Sequence, residues 1–283
     1  MNLSQESQLG RNISRYGLDS RIGKAALSVK GTGSRMGERI SLKPGYSAAI
    51  MDYRSYQKGD SVKDIDWKLS ARTERLFVKI REGYRQTDFV IAVDGSESMR
   101  TSYNGGTSKF ITGLTLAYIA GMVALKSRDR VYISYAGEKL RAHSGVSLID
   151  LLTGIELEKA PGAFWDSRIE SSANIFLLSD FFIEASILSG YLKNLRHSTK
   201  NLYMITIHDP FEQKFEFGGR CEFLDPESDG SLLAETRSIE ERYRHLYNEH
   251  YRAVAGIGKS FGARLGKATT TEDPYHAFVK AVG

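Results

Sequence analysis

The chain has 283 residues, 41% hydrophobic and 26% charged, enough for one large globular domain or a medium one with an attachment. Its single cysteine, Cys221, excludes an internal disulfide and a cysteine-based zinc cluster. The net charge of +5 is uneven: residues 1–88 hold 17 Lys and Arg against 10 Asp and Glu, an excess that reads either as a surface for acidic partners or phosphates or as a solvated face of alternating charge.

No block of Lys and Arg and no ladder of aromatics accompanies that excess, so nucleic acid is not the expected partner. Apolar runs such as "IFLLSDFFI" are interrupted well short of the ~20 residues needed to span a bilayer, so no membrane insertion is expected. The start of the chain lacks the apolar stretch of a signal peptide, and a cytoplasmic protein is the expectation.

In chain order, "LDSRIGKAAL" predicts a short helix and "GTGSRMGERI" a loop. Residues from Tyr46 to Lys79 read as an irregular β-rich extension containing the strand-like "RLFVKI". From Asp88 the pattern changes. "FVIAV" (Phe89 to Val93) is a continuous apolar run, as expected of a strand buried on both faces. The helix "KFITGLTLAYIAGMVALKS" follows, then the strand "RVYISYA" and the helix "SLIDLLTGIEL". "NIFLLSD" ends at Asp180, and after the helix "EASILSGYLKNLRHS" the strand "NLYMITIHD" ends at His208 and Asp209. A hairpin-like excursion near Cys221, a long charged helix from Arg237, a last strand "ARLGKATTT" and a closing helix led by Pro274 complete the chain.

Alternating strands and helices at this spacing predict an α/β fold, a mostly parallel sheet flanked by helices over residues 88–283. Residues 1–87 form the N-terminal extension. In such a sheet ligands bind outside the carboxyl ends of the strands, where Asp94 and Asp180 both fall. With Ser96 and Ser98 at alternate positions after Asp94, the set suits a hard divalent cation such as Mg²⁺. The same residues read equally well as a strand end followed by a helix cap.

Ser96, Asp180 and His208 follow the chain order of a hydrolase triad, but "DGSES" is not the nucleophile elbow, and Asp94 would oppose an oxyanion. "GTGSRMG" (31–37) has one residue too many for a dinucleotide fingerprint. "AVAGIGKS" (253–260) lacks the first glycine of a P-loop, and both read as turns. The six histidines show no zinc spacing, and Trp67 and Trp165 read as packing residues.

Two stretches carry a family resemblance. "DGSES" resembles the metal-ion-dependent adhesion site of von Willebrand factor A domains. "YRSYQKGDSVKDIDWKLSARTERLFVK" (53–79) resembles the signature of the bacterial family called domain of unknown function fifty-eight, through Arg54, Tyr56, Gly59, Asp60, Ile65, Asp66, Trp67, Ala71, Arg72 and Thr73. "LLSDFF", "HDPFE" and "FLDPESDG" add to it.

The resemblance implies a von Willebrand A-like domain with the extension packed on it. Asp94, Ser96, Ser98 and Asp180 would bind a divalent cation, Mg²⁺ or another, left open to a carboxylate of a partner protein. It further implies a non-enzymatic adaptor working with a MoxR-type AAA ATPase in assembling or maturing other proteins. The adhesion-site threonine has no counterpart in "EKAPGAFWDSRIESSAN", and Glu97 adds a carboxylate inside the motif. Arg54, Asp60, Asp66 and Arg72 are expected to pair and fix the extension. A phosphate hydrolase built on the same carboxylates is the alternative, with His208 or Asp209 as its base.

Overall fold

The computed structural model describes residues 3–24, 27–28, 41–42, 50–57, 60, 62, 65–81, 87–103, 106–135, 138–155, 173–195, 199–225 and 230–282. Helices α1 (Leu3–Arg15) and α2 (Leu18–Lys24) precede two antiparallel ribbons, one of β1 (Leu27–Ser28) with β2 (Ser41–Leu42), the other of β3 (Ile50–Ser55) and, after α3 (Trp67–Thr73), β4 (Phe77–Arg81). The main body begins with β5 (Asp88–Val93), α4 (Glu97–Arg100), α5 (Lys109–Lys126), β6 (Arg130–Tyr135), β7 (Glu138–Ala142) and α6 (Gly145–Thr153). It continues through β8 (Ala173–Ser179), α7 (Ala185–Leu195), β9 (Thr199–His208) and α8 (Pro210–Lys214). The hairpin β10 (Arg220–Leu224) and β11 (Ser231–Glu235) leads into α9 (Thr236–Ser260), β12 (Arg264–Thr269) and α10 (Pro274–Val282).

Six of these strands form one sheet in the order β7-β6-β5-β8-β9-β12. All neighbours are parallel except β7, which returns antiparallel to β6. This is the expected α/β class, a mostly parallel sheet flanked by helices. Every residue of β5 and of β8 is buried, which explains their uninterrupted apolar sequences. One face of the sheet packs on α5, α6 and α10, and the other on α7 and α9.

Helices α1 and α2, which begin the N-terminal stretch, insert Leu9, Ile13, Leu18 and Ile22 into the first of these cores. α5 has the length and apolar character of a bilayer span, but protein covers 83% of it, because it runs between the sheet and the surrounding helices. At the sheet edge β12 lies flush against α10. A Cβ placed on Gly266 would fall 2.4 Å from the Cβ of Ala281 and 3.2 Å from its Cα. Gly266→Ala is therefore expected to cost about 1–3 kcal/mol, read as a lower urea midpoint, because backbone rather than a side-chain tip must yield.

Several local readings change. "AVAGIGKS", read as a turn, lies within α9, where a continuous helix leaves no loop to cradle phosphate. "GTGSRMG", Trp165 and most of "EKAPGAFWDSRIESSAN" lie outside the described residues. Trp67 does not pack inside: it stands 61% exposed on α3. In the signature, Arg54 and Asp60 form the expected pair, with two bonds of 2.7 and 2.6 Å, and Arg54 holds the Asp60 carboxyl below its ordinary range. Asp66 has a different task, accepting from the N–H groups of Lys68 and Leu69 to cap α3, while Arg72 points to solvent on that helix.

Candidate functional site

The order of strands reverses between β5 and β8, the position at which an open parallel sheet splays its loops apart and forms a crevice. Asp94 leaves β5 there and Asp180 leaves β8, and the Asp94 N–H donates to the Leu178 carbonyl at 2.9 Å, tying the two ends together. Ser96 and Ser98 are brought to the same rim, their hydroxyl oxygens 3.1 Å apart. All four residues singled out in the sequence thus converge.

The cap reading of the serines does not hold. Ser96 stands at the start of α4 without a side-chain bond to the helix backbone. The long helix α5 is capped instead by Ser108, whose hydroxyl accepts from the Ile111 N–H at 3.2 Å. Asp94 turns both carboxylate oxygens inward: one accepts from the Ser96 N–H at 2.9 Å, the other from the Ser179 hydroxyl. Burial, reinforced by the nearby charge of Asp180, pushes its pKa up to about 6.

Asp180 is 1% exposed, and its partner is a residue the sequence reading did not single out. The Lys109 ammonium donates to Asp180 Oδ2 at 2.8 Å and to both carboxylate oxygens of Glu212 at 3.0 Å. It lies 5.2 Å from the centre of the Phe182 ring, and Lys109 is itself 1% exposed. Burial disfavours its charge, but the two carboxylates outweigh that and hold its pKa above the ordinary lysine value. Tyr103 and Thr101 donate to Glu212 at 3.2 and 3.3 Å, so the loop after Ser98 is fastened to the same cluster.

Lys109 had one signal in the sequence. It opens an otherwise apolar helix at the end where the helix dipole disfavours a cation, so its charge needs buried carboxylates elsewhere in the fold.

The two candidate bases are engaged as well. His208 is buried, its Nδ1 lies 2.6 Å from the Tyr247 hydroxyl, and its ring rests on Tyr251. Burial, with the charges of Lys267 and Lys109, lowers its pKa to about 3. Asp209 accepts from the Thr270 hydroxyl and the Phe211 N–H, both at 2.8 Å. The triad order therefore has no counterpart in these contacts: His208 bonds a tyrosine, and Ser96 bonds Ser98.

Whether a divalent cation fits depends on Asp180. Two carboxylates and two hydroxyls form a suitable hard donor set, yet Asp180 already binds an ammonium. Two unit positive charges ~4 Å apart repel by about 4 kcal/mol near a protein surface, and a divalent ion would double that. Among the described residues no group of three or more His, Cys, Asp or Glu is arranged to hold a metal ion. With Lys109 in place, Asp180 is already paired and is a weaker ligand for a second cation than its place in the motif implies.

No curated protein matches the chain. The crystal structure of the conserved hypothetical protein BatB from Bacteroides thetaiotaomicron is similar over 69% of this chain and 97% of that one, at 11% identity and a TM-score of 0.38. Residues 52–144 match the family described as "Protein of unknown function DUF58", a stretch that includes all of the 53–79 signature, the Asp94 loop and Lys109. Over these residues the chain is similar to DUF58, the family that its signature resembles.

Proposed function

We propose that this chain is a non-enzymatic protein-binding module, an adaptor whose rim at the β5–β8 switch carries its own cation in place of a metal ion. One observation carries the reading: the Lys109 ammonium bridging Asp180 and Glu212, both removed from solvent. A cluster bridged in this way fastens the loop of Ser96, Ser98, Thr101 and Tyr103 to the sheet and presents it as a fixed surface.

The alternative, a phosphate hydrolase, needs a metal and a general base. His208, neutral and bonded to Tyr247, is a weak base, and Asp209 is committed to Thr270 and to the start of α8. The family resemblance suggests a MoxR-type AAA ATPase as the partner, with the adaptor helping it to assemble or mature other proteins.

Pull-down from native lysate with the purified chain, with and without EDTA, tests both parts. The same partner is expected in both conditions, with no turnover of a panel of phosphodiesters. Capture that EDTA abolishes would restore a metal-dependent site. Turnover that disappears in Asp94→Ala would replace the adaptor with the hydrolase.

A further inference from the structure

Beside the rim, a cleft of about 840 Å³ opens between α1 and the stretch running from Arg100 to the start of α5. On one wall α1 contributes Arg11 and Arg15, four residues apart and therefore on one face of the helix. On the other stand Arg100, Ser102, Thr107 and Ser108. Among the described residues no aspartate or glutamate lines it. Arg11 and Arg15 are exposed, and Arg100, 35% exposed, is held at 2.9 Å by Glu97 of the "DGSES" loop.

We propose that this cleft receives an acidic segment of a partner protein, whose carboxylates are bound by Arg11, Arg15 and Arg100. The inference rests on the protein-binding reading above and names the surface that serves it. Guanidinium groups bind carboxylates in forked pairs that a point charge does not match, and the hydroxyls of Ser102, Thr107 and Ser108 supply further donors.

The position is informative too. Arg100 lies two residues beyond Ser98, so the cleft adjoins the loop at which a metal would otherwise take a partner's acid. Lys109 is sealed inside and cannot meet a partner, whereas these arginines can. A protein segment fits better than nucleic acid because among the described residues no aromatic ring lines the cleft to stack a base. The placement also gives the basic excess of the N-terminal residues a site of action.

The test uses a fluorescently labelled octaglutamate peptide, with octalysine and a short single-stranded oligodeoxynucleotide for comparison. Octaglutamate is expected to bind the full chain at low salt, and to bind roughly tenfold more weakly in Arg11→Glu/Arg15→Glu. A control with the same charge change on distant exposed positions, Lys193→Glu/Arg237→Glu, should bind like the wild type. Absence of octaglutamate binding, equal weakening in the control, or tighter binding of the oligonucleotide would each overturn the proposal.

Partner capture separates this proposal from the broader reading. A partner retained undiminished by Arg11→Glu/Arg15→Glu removes the cleft but leaves the adaptor. No partner captured by the wild type, with octaglutamate still bound in the cleft, removes the adaptor reading alone.

Discussion

Lys109→Met is expected to lower stability by about 3–5 kcal/mol, the usual consequence of removing one partner from a buried ion cluster. Methionine fills a similar volume, so the loss reports charge rather than a cavity. Without the ammonium, Asp180 and Glu212 face each other with side-chain exposures of 1% and 10%. The remaining donors are the Phe182 N–H at 3.2 Å from Asp180, and Tyr103 and Thr101 on Glu212. These are too few to hold two buried negative charges.

A fall in melting temperature of about 10 °C should result. The neutral variant Lys109→Met/Asp180→Asn/Glu212→Gln is expected to regain most of it, since it buries no unpaired charge. Millimolar Mn²⁺ supplies the decisive comparison. It should raise the melting temperature of Lys109→Met, where Asp94, Asp180 and Glu212 are left to attract a cation, and leave the wild type unmoved. An equal rise in both would mean that the lysine does not stand in the place of a metal.

Residues that end buried strands were readable because a parallel strand covered on both faces is apolar to its last residue. "FVIAV" and "NIFLLS" stop where the chain meets the rim, so Asp94 and Asp180 mark it directly. Edge and surface elements lack that contrast. β7 runs antiparallel at the sheet margin with Leu140 42% exposed, and "EKLRA" shows no useful alternation. α1 is mostly polar, and among its residues whose burial is described only Leu9, Asn12 and Ile13 face inward, a single i, i+3, i+4 set that includes an asparagine.

Lys109 was hidden for another reason. Its partners lie 71 and 103 residues further along the chain, and only the order β5-β8-β9 gathers them at one rim. A motif of local spacing identifies the loop; it does not reveal which charge occupies it.

Acidification should expose His208. With its pKa near 3 in the folded chain and about 6.5 when unfolded, the unfolded chain binds the extra proton between these values. Stability contributed by the neutral ring is therefore complete above pH 6.5. It is lost as pH falls, by about 1.4 kcal/mol per unit below pH 6.

Wild-type stability alone cannot display this slope. Burial raises the pKa values of Asp94 and Asp129 to about 6, so each favours folding as pH falls from about 6 toward 4, opposing His208. The difference between wild type and His208→Gln cancels those carboxyls, and glutamine keeps a hydrogen-bonding group facing Tyr247. That difference should shrink by about 2 kcal/mol between pH 7 and pH 5, measured by urea unfolding at each pH. A constant difference would mean that His208 titrates near its ordinary value in the folded chain. It would then again be a competent base at the rim, and the case against the hydrolase would weaken with it.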